Sequence, residues 1–224
     1  MHPLIAGLKG KLIVSVQAYP GEPMRHPETM AQIARAAEIG GAAAIRCQGL
    51  SDISAIKGRV DVPVIGLWKE GHEGVYITPS LRQARACVMA GADIVALDAT
   101  GRPRLDGRSF AETVAALREE ETLVMADCGS FEDAQRAVDA GVDIVSTTLA
   151  GYTGDRPKTD GPDLELLEQT VQAFPGVPVI CEGRIHTPEH AAAAMKLGAF
   201  AVIVGTAITH PTSVTGWFKA AVEN

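Results

Sequence analysis

The sequence has no apolar run that approaches the about 20 residues needed by a membrane-spanning helix. Its first residues lack the long apolar segment with a basic flank that is typical of a secretory signal. Basic residues never gather into a run and the net charge is −7, which argues against a surface that binds nucleic acid or another polyanion. We therefore expect a cytoplasmic protein that binds neither membranes nor nucleic acid.

Cysteine is also scarce, and its four positions form no CxxC pair: Cys47, Cys87, Cys128 and Cys181. Such a spacing favours small buried thiols in a reducing compartment, with a catalytic thiol as the alternative. The histidines show no metal-binding pattern either. His186 and His190 are four residues apart, but the helix start at residues 187–188 interrupts the face that they would share. We expect no metal site.

Apolar residues make up 46% of the 224 residues and charged residues 21%, which is ordinary for a globular protein with a large core. Eight short apolar runs alternate with helix-forming segments. The runs lie at residues 12–17, 42–45, 64–68, 94–97, 123–126, 144–147, 178–181 and 201–204. Residues 90–95 recur in similar form at 140–145, as a helix end that leads into a buried strand.

Eight strand–helix units predict a (β/α)8 barrel, the TIM-barrel fold, formed by residues 1–224 as a single domain. The competing architecture is a doubly wound sheet. We find no G-x-G-x-x-G after the first strand and no P-loop, so the barrel is favoured.

In such a barrel the active site lies at the carboxyl ends of the strands. Seven of the eight residues that end the predicted strands are polar: Gln17, Arg46, Lys69, Asp98, Asp127, Thr147, Glu182 and, as the exception, Gly205. Because strands re-enter solvent at this edge, any one of these polar residues could also be ordinary surface. Together they predict a polar mouth.

Lys69 and Glu182 stand out because each follows an unbroken apolar strand that begins after Val-Pro. Burial lowers the pKa of a lysine, and lysines tuned in this way act as bases or as Schiff-base nucleophiles. A carboxylate beside such an amine can share acid and base roles, although a simple buried ion pair is the alternative. Arg46 could hold a ligand oxygen or could neutralise Asp127.

The turns after the last two strands, Gly183-Arg184 and Gly205-Thr206, predict a phosphate site, because glycines let backbone N–H groups approach an anion. Glycines that serve packing alone are the alternative. The long loop at residues 149–160 has the length of a lid or binding loop. Trp217 and Phe218 are expected to pack the final helix onto the barrel.

The chain resembles the N-acylmannosamine-6-phosphate 2-epimerase family over essentially its whole length. The matching motifs include Ser15-Val16-Gln17-Ala18, Gly66-Leu67-Trp68-Lys69, Tyr76-Ile77-Thr78-Pro79-Ser80, Met125-Ala126-Asp127-Cys128-Gly129-Ser130, Thr147-Thr148-Leu149-Ala150-Gly151-Tyr152-Thr153 and Glu182-Gly183-Arg184-Ile185-His186-Thr187-Pro188, together with residues 90–100. The resemblance implies inversion at C2 of N-acetylmannosamine 6-phosphate, in the breakdown of sialic acid and other amino sugars.

What the resemblance implies for single residues agrees with the strand ends. Lys69 would be the catalytic base and Glu182 its partner carboxylate. The open-chain sugar would be held by Gln17, Arg46, Asp127 and Tyr152. The phosphate would be held by Gly183, Arg184, Gly205 and Thr206. No cofactor is expected, since proton transfer needs neither a hydride acceptor nor a metal.

Two departures from the family leave the acyl-group preference open. Glu70-Gly71-His72 follows the lysine, and His210 stands where relatives tend to carry an arginine. If that position contacts ligand, His210 would weaken or retune binding. A Schiff-base aldolase using Lys69 and a non-catalytic sugar-phosphate sensor are the alternative functions. The oligomeric state stays open, with a homodimer as the assembly that we consider.

Overall fold

Eight parallel strands form the centre of the structure, a computed structural model that describes residues 1–71 and 74–223. The strands are β1 (Leu12–Val16), β2 (Ala44–Gln48), β3 (Val64–Leu67), β4 (Ile94–Asp98), β5 (Leu123–Asp127), β6 (Ile144–Ser146), β7 (Val179–Glu182) and β8 (Ala201–Val204). Each strand pairs with the next one along the chain, and β8 pairs with β1 to close a barrel. The predicted (β/α)8 fold is confirmed.

Helices follow the strands in turn. They are α1 (Pro3–Ala6), α2 (Pro27–Ile39), α3 (Leu50–Lys57), α4 (Leu81–Met89), α5 (Phe110–Glu119), α6 (Phe131–Ala140), α7 (Leu164–Ala173), α8 (Pro188–Lys196), α9 (Thr206–Thr209) and α10 (Pro211–Glu223). Helices α2 to α8 were expected from the alternation, whereas α1 was not. Across residues 1–71 and 74–223, none of the helices has the length and apolarity that crossing a membrane requires.

Alternate strand residues point into the barrel, as the two-residue period of a strand requires. Ile13, Ile65, Met125 and others form one buried cluster inside the barrel. The same cluster contains Ile5 and Leu8, which come from α1 and the turn after it and are each 1% exposed. The unpredicted α1 therefore supplies side chains that fill the barrel interior.

The recurring sequence at residues 90–95 and 140–145 has a physical explanation in its aspartates. Asp93 accepts a hydrogen bond from Val64 N, and Asp143 accepts one from Val124 N. In each case the backbone N–H of the aspartate also donates to the carbonyl of the same partner residue. Each aspartate thus pairs the beginnings of two neighbouring strands and sets their register.

Several strand boundaries differ from the prediction, and two of the differences matter for the site. β2 was expected to stop at Ile45 with Arg46 as its end, but the strand continues to Gln48 and Arg46 lies in its middle. β6 stops at Ser146, one residue earlier than expected, which leaves Thr147 outside the strand. Because side chains alternate between faces, a shift of one residue changes which side chain enters the barrel.

The expected packing of the final helix is wrong. No residue of α10 is buried, and Phe218 is 70% exposed. Trp217 contacts the ring of His186 with centroids 4.7 Å apart, yet it is still 38% exposed. Helix α10 therefore contacts the loop after β7 through Trp217 and leaves an apolar surface open.

Gly66 allows α3 and the start of β4 to approach β3 closely. A Cβ at this position would lie 2.6 Å from Ala92 Cβ and 2.9 Å from Ile53 Cδ1. Since Ala92 has no flexible side chain to move away, we expect Gly66→Ala to lower the free energy of unfolding in urea by about 1–3 kcal/mol. Gly58→Ala is the control, because its Cβ would make only ordinary contacts at 3.6 Å or more. Equal stability of the two variants would contradict close packing at Gly66.

Candidate active site

A cavity of about 790 Å³ opens at the carboxyl ends of the strands. This volume is in the range of small-molecule sites. Nine of the predicted site residues line it: Gln17, Arg46, Lys69, Tyr152, Glu182, Gly183, Arg184, Gly205 and Thr206. The tenth, Asp127, lies directly behind this surface and is fully buried.

Arg46 is the centre of the buried charges, because β2 carries it into the barrel rather than to the rim. It is 1% exposed and donates from Nη1 to Asp127 Oδ1 at 2.9 Å and from Nη2 to Asp127 Oδ2 at 2.6 Å. Glu182 Oε2 lies 3.1 Å from Nη1. Burial alone would lower the pKa of Arg46, but the charges of Asp127 and Glu182 more than offset this and raise it. Arg46 is therefore a permanent cation.

Thr148 joins the two carboxylates and was not singled out from the sequence. Its Oγ1 lies 2.8 Å from Asp127 Oδ1, 2.8 Å from Glu182 Oε2 and 2.8 Å from Ser146 Oγ. A hydroxyl carries one hydrogen, so Thr148 donates to one carboxylate only. The second short contact is a hydrogen bond when that carboxyl group carries the proton.

Glu182 has the properties of a group that can carry this proton. Burial raises its pKa, the Asp127 charge adds to the increase, and the nearby Arg46 charge opposes it without reversing it. A protonated Glu182 can donate to Thr148 while Thr148 donates to Asp127. All three partners of the Thr148 hydroxyl are then satisfied.

Lys69 lies just beyond β3, where a single antiparallel bridge to Ile77 holds its backbone. Its side chain is partly buried and lines the cavity. Burial lowers the pKa of Lys69 to about 8, the Arg46 charge acts in the same direction, and Glu182 and Asp127 act against it. At neutral pH a useful fraction of this amine is therefore free to accept a proton.

Gln17 offers an open acceptor just after β1, two strands from β7 around the barrel. Its Nε2 donates to Ser15 Oγ at 2.8 Å, whereas its buried Oε1 has no hydrogen-bond partner among the described residues. A ligand hydroxyl or amide N–H could donate to this oxygen. Gln48, which the prediction of a shorter β2 missed, is the next inward residue after Arg46 and also lines the cavity.

The turns predicted to bind phosphate lie together at the same mouth. Gly183 has a φ of 105°, a conformation that glycine adopts at little cost. Gly205 passes close to β1, where a Cβ would lie 3.3 Å from Ser15 Cβ. A side chain would therefore be strained at Gly183 and crowded at Gly205, and both residues line the cavity.

Besides Asp127, two of the polar strand ends do not line the cavity. Asp98 is fully buried, accepts hydrogen bonds from Thr100 and forms an ion pair with Arg102 at 2.8 Å. Thr147 donates to the Glu182 carbonyl at 3.0 Å and accepts from the Glu182 N–H at 3.1 Å, so it ties β6 to β7. Thr148, the next residue, takes the inward place.

His210 does line the cavity, at the departure from the family pattern. Its Nδ1 is 2.7 Å from Ser213 Oγ. Its Nε2 lies 3.3 Å from Glu22 Oε1 but has no partner with hydrogen-bond geometry among the described residues. The ring also stands edge-on to Tyr19, another unpredicted cavity residue. His72, the other departure, lies outside the described residues.

The cysteines are all free and buried. Burial raises the pKa of the thiols of Cys87 and Cys181 to about 12, which disfavours the reactive thiolate. In the part of the chain that the structure describes, no three His, Cys, Asp or Glu side chains are grouped as metal ligands.

The pKa of Lys69 can be measured by competitive acetylation with trace acetic anhydride and peptide mass spectrometry. We expect a midpoint of about 8 for Lys69, against the ordinary lysine value of 10.5. Because only the neutral amine accepts a proton, the rate of a reaction that uses Lys69 as its base should rise with pH up to about 8. The exposed Lys9 serves as the reference for the reagent. A Lys69 midpoint near 10.5 would rule out the proposed tuning by burial.

Known proteins resemble this chain over nearly its whole length. Residues 30–224 match a family described as "Putative N-acetylmannosamine-6-phosphate epimerase". A Cutibacterium acnes protein named "Putative N-acetylmannosamine-6-phosphate 2-epimerase" is 64% identical over 222 residues, which cover 98% of this chain and 97% of that protein. A Corynebacterium glutamicum protein of the same name is 51% identical over 223 residues, with coverage of 98% and 96%.

Solved structures agree with the sequences. The N-acetylmannosamine-6-phosphate 2-epimerase from Clostridium perfringens matches with a TM-score of 0.94 and 40% identity, covering 98% of this chain and 96% of that one. A thiamine phosphate pyrophosphorylase from Pyrococcus furiosus matches with a TM-score of 0.62 and 19% identity, covering 91% and 88%, and shows the shared fold alone. The chain belongs to the N-acetylmannosamine-6-phosphate epimerase family.

Proposed function

We propose that this protein interconverts N-acetylmannosamine 6-phosphate and N-acetylglucosamine 6-phosphate, in the breakdown of sialic acid and other amino sugars. The observation that carries the proposal is that Lys69, whose pKa is lowered, and Glu182, whose pKa is raised, line the same cavity. The chain that carries this cavity belongs to the epimerase family. Two titratable groups pushed toward their neutral forms are suited to exchanging a proton with a carbon acid.

The reaction follows from the acidity of the substrate. In the open-chain sugar, C2 lies beside the C1 aldehyde, so removal of its proton gives an enolate whose charge rests on oxygen. Neutral Lys69 is the base that takes this proton. A cation or hydrogen-bond donor that faces the enolate oxygen stabilises the transition state, and Arg46 is the permanent cation that lines the cavity. Return of a proton to the other face of C2 inverts the centre.

Glu182 is the partner acid in this proposal, because its protonated form can donate and its ionised form can accept. Asp127 acts through other groups: it fixes Arg46 with two hydrogen bonds and receives the Thr148 hydroxyl. Gln17 would accept a hydrogen bond from the substrate at its free Oε1. Tyr152 would cover the sugar from the long loop.

The phosphate would be anchored by Gly183, Arg184, Gly205 and Thr206, which meet at one side of the cavity. Backbone N–H groups and one hydroxyl supply donors there, and Arg184 supplies positive charge. Neither a hydride acceptor nor a metal is needed, since the reaction moves only a proton. A phosphorylated substrate and four free thiols are typical of a cytoplasmic enzyme. We also propose that residues 1–224 form one domain.

The open face of α10 supports a homodimer. Val214, Trp217, Phe218, Ala221 and Val222 follow the spacing of a single helical stripe, and no residue of the helix is buried. An exposed apolar stripe of this kind is suited to being covered by a partner. A second copy fits, because two copies of one stripe related by a twofold axis are self-complementary. Contact of Trp217 with the cavity residue His186 would connect the interface to the site.

Proton NMR of N-acetylmannosamine 6-phosphate with the enzyme in deuterium oxide tests the reaction. We expect the C2 proton to exchange for deuterium while signals of N-acetylglucosamine 6-phosphate appear. Lys69→Ala should lower the exchange rate by about 10²–10⁴-fold, because a positioned base contributes roughly that much. Lys9→Ala, at an exposed lysine, should leave the rate unchanged.

Other outcomes of this experiment separate the alternative functions. Exchange that survives in Lys69→Ala would show that another group is the base. Trapping of the substrate on Lys69 by borohydride would favour a Schiff-base aldolase. Tight binding without exchange in the unmodified protein would favour a sugar-phosphate sensor.

The assembly can be measured by sedimentation equilibrium. We expect a mass of twice the 23.5 kDa chain for the unmodified protein, and a monomer for Phe218→Glu, which places a charge on the apolar stripe. Lys219→Gln is the control, because Lys219 lies on the polar face and pairs with Glu223 of the same helix. A monomeric unmodified protein at micromolar concentration would refute this interface.

A further inference from the structure

The Arg184 guanidinium makes three hydrogen bonds to the long loop between β6 and α7, residues 147–163. Nε donates to the Gly161 carbonyl at 3.0 Å, Nη1 to the Ala150 carbonyl at 2.7 Å and Nη2 to Thr159 Oγ1 at 3.0 Å. These acceptors belong to both limbs of the loop. We propose that Arg184 is a positioning residue that holds this loop closed beside the barrel mouth.

The backbone at the end of β7 is shaped to deliver this side chain. Gly183 has a φ of 105° and Arg184 a φ of 53°, so two successive residues are in the left-handed region. That region is uncommon for a residue other than glycine, and such strain persists only where the surroundings hold it. The three hydrogen bonds of the side chain are what hold Arg184 in this conformation.

The loop itself is folded so that its two limbs touch. Gly151 has a φ of 77°, and a Cβ there would lie 2.8 Å from Lys158 Cα, 3.2 Å from the Pro157 carbonyl and 3.3 Å from Arg184 Nη1. The first limb therefore crosses the second at Gly151, and the guanidinium lies beside the crossing. Arg184 donates hydrogen bonds to Ala150, just before the crossing on the first limb. It also donates to Thr159 and Gly161, which follow the crossing on the second limb.

The three hydrogen bonds from Arg184 to the loop, called the clamp below, determine where Tyr152 lies. The Tyr152 ring lies 5.2 Å from the Arg184 guanidinium and 5.1 Å from Lys158 Nζ, and cations at such distances are attracted to the face of an aromatic ring. Tyr152 is 48% exposed, so packing on the barrel contributes little to its position. Since Tyr152 and Arg184 both line the cavity, loss of the clamp would move a wall of the site.

This role rests on the proposed function for its catalytic consequence and refines the part assigned to Arg184. A guanidinium has five N–H hydrogens, and three are used by the loop. The two that remain, one on each terminal nitrogen, can still face a phosphate. Arg184 would then couple phosphate binding to loop closure, because the same guanidinium contacts the phosphate and holds the loop.

Arg184→Lys separates the two roles, because lysine keeps the charge but lacks the planar fork that reaches three acceptors. Thr159→Ala removes one acceptor at a residue outside the cavity lining. Arg118→Lys is the matched control, since Arg118 donates to the Gly141 carbonyl, at the end of α6. Hydrogen exchange of peptides covering residues 150–161 would be measured for each variant. Steady-state kcat and KM and competition by inorganic phosphate complete the set.

We expect Arg184→Lys to speed amide exchange in the loop by at least about tenfold and to lower kcat/KM by about ten- to a hundredfold, because lid closure gates turnover. Inhibition by inorganic phosphate should change by less than about threefold. Thr159→Ala should shift loop exchange in the same direction by a smaller factor, and Arg118→Lys should not shift it.

Unchanged loop exchange in Arg184→Lys would overturn the clamp. Unchanged exchange together with a large loss of phosphate inhibition would make Arg184 a phosphate ligand alone. Hydrogen exchange does not depend on turnover, so it tests the clamp even if no sugar phosphate reacts. A clamp that is confirmed in an inactive protein would show that the proposed function is wrong and the clamp is right.

Discussion

The site depends on one buried cation. Arg46 is almost completely enclosed, and removing a guanidinium from water is costly unless carboxylates surround it. Asp127 binds it with two hydrogen bonds and Glu182 lies at 3.1 Å. Removal of one partner from such a pair typically costs about 3–5 kcal/mol, because a charge is left buried without compensation. The positions of the Asp127 and Glu182 carboxyl groups are therefore constrained by the charge of Arg46.

The chemistry of the cavity follows from this constraint. Arg46 is paired mainly with Asp127, so its charge lowers the pKa of the nearby Glu182 too little to offset burial. Burial moves Lys69 and Glu182 each toward its neutral form, which lowers the pKa of the amine and raises that of the carboxyl group. An amine of lowered pKa and a carboxyl group of raised pKa are a pair suited to proton exchange at carbon. Thr148 completes the arrangement by linking Glu182 to Asp127.

The barrel brings these groups together because its strands are parallel and closed. Inward positions on β2, β5 and β7 place Arg46, Asp127 and Glu182 side by side, although they are far apart in the sequence. The loops after the strands add the groups proposed to cover the sugar and to bind its phosphate. The Arg184 side chain organises the loop after β6, and the turns after β7 and β8 face the same cavity.

Local patterns in the sequence were sufficient to predict the number of strands, the closed barrel and eight of the residues that line the cavity, whereas Tyr152 came from the family resemblance. Apolar strands of period two, helix caps and glycine turns are short-range signals, and a parallel barrel places every strand end on one rim. The prediction for Lys69 needed nothing more than an apolar strand followed by a cation.

Contacts between distant residues decided the rest. The pairing of Arg46 with Asp127 placed Arg46 inside β2, although the apolar pattern indicated a strand end. Thr147 and Thr148 have the same side chain, and only the end of β6 at Ser146 decides that Thr148 faces the carboxylates. The apolar residues of α10 looked like core, but an apolar pattern shows only that a surface needs covering. Which surface covers it is a property of the folded chain and its partners, and this is why the sequence determined the barrel while the tertiary structure decided the charges inside it.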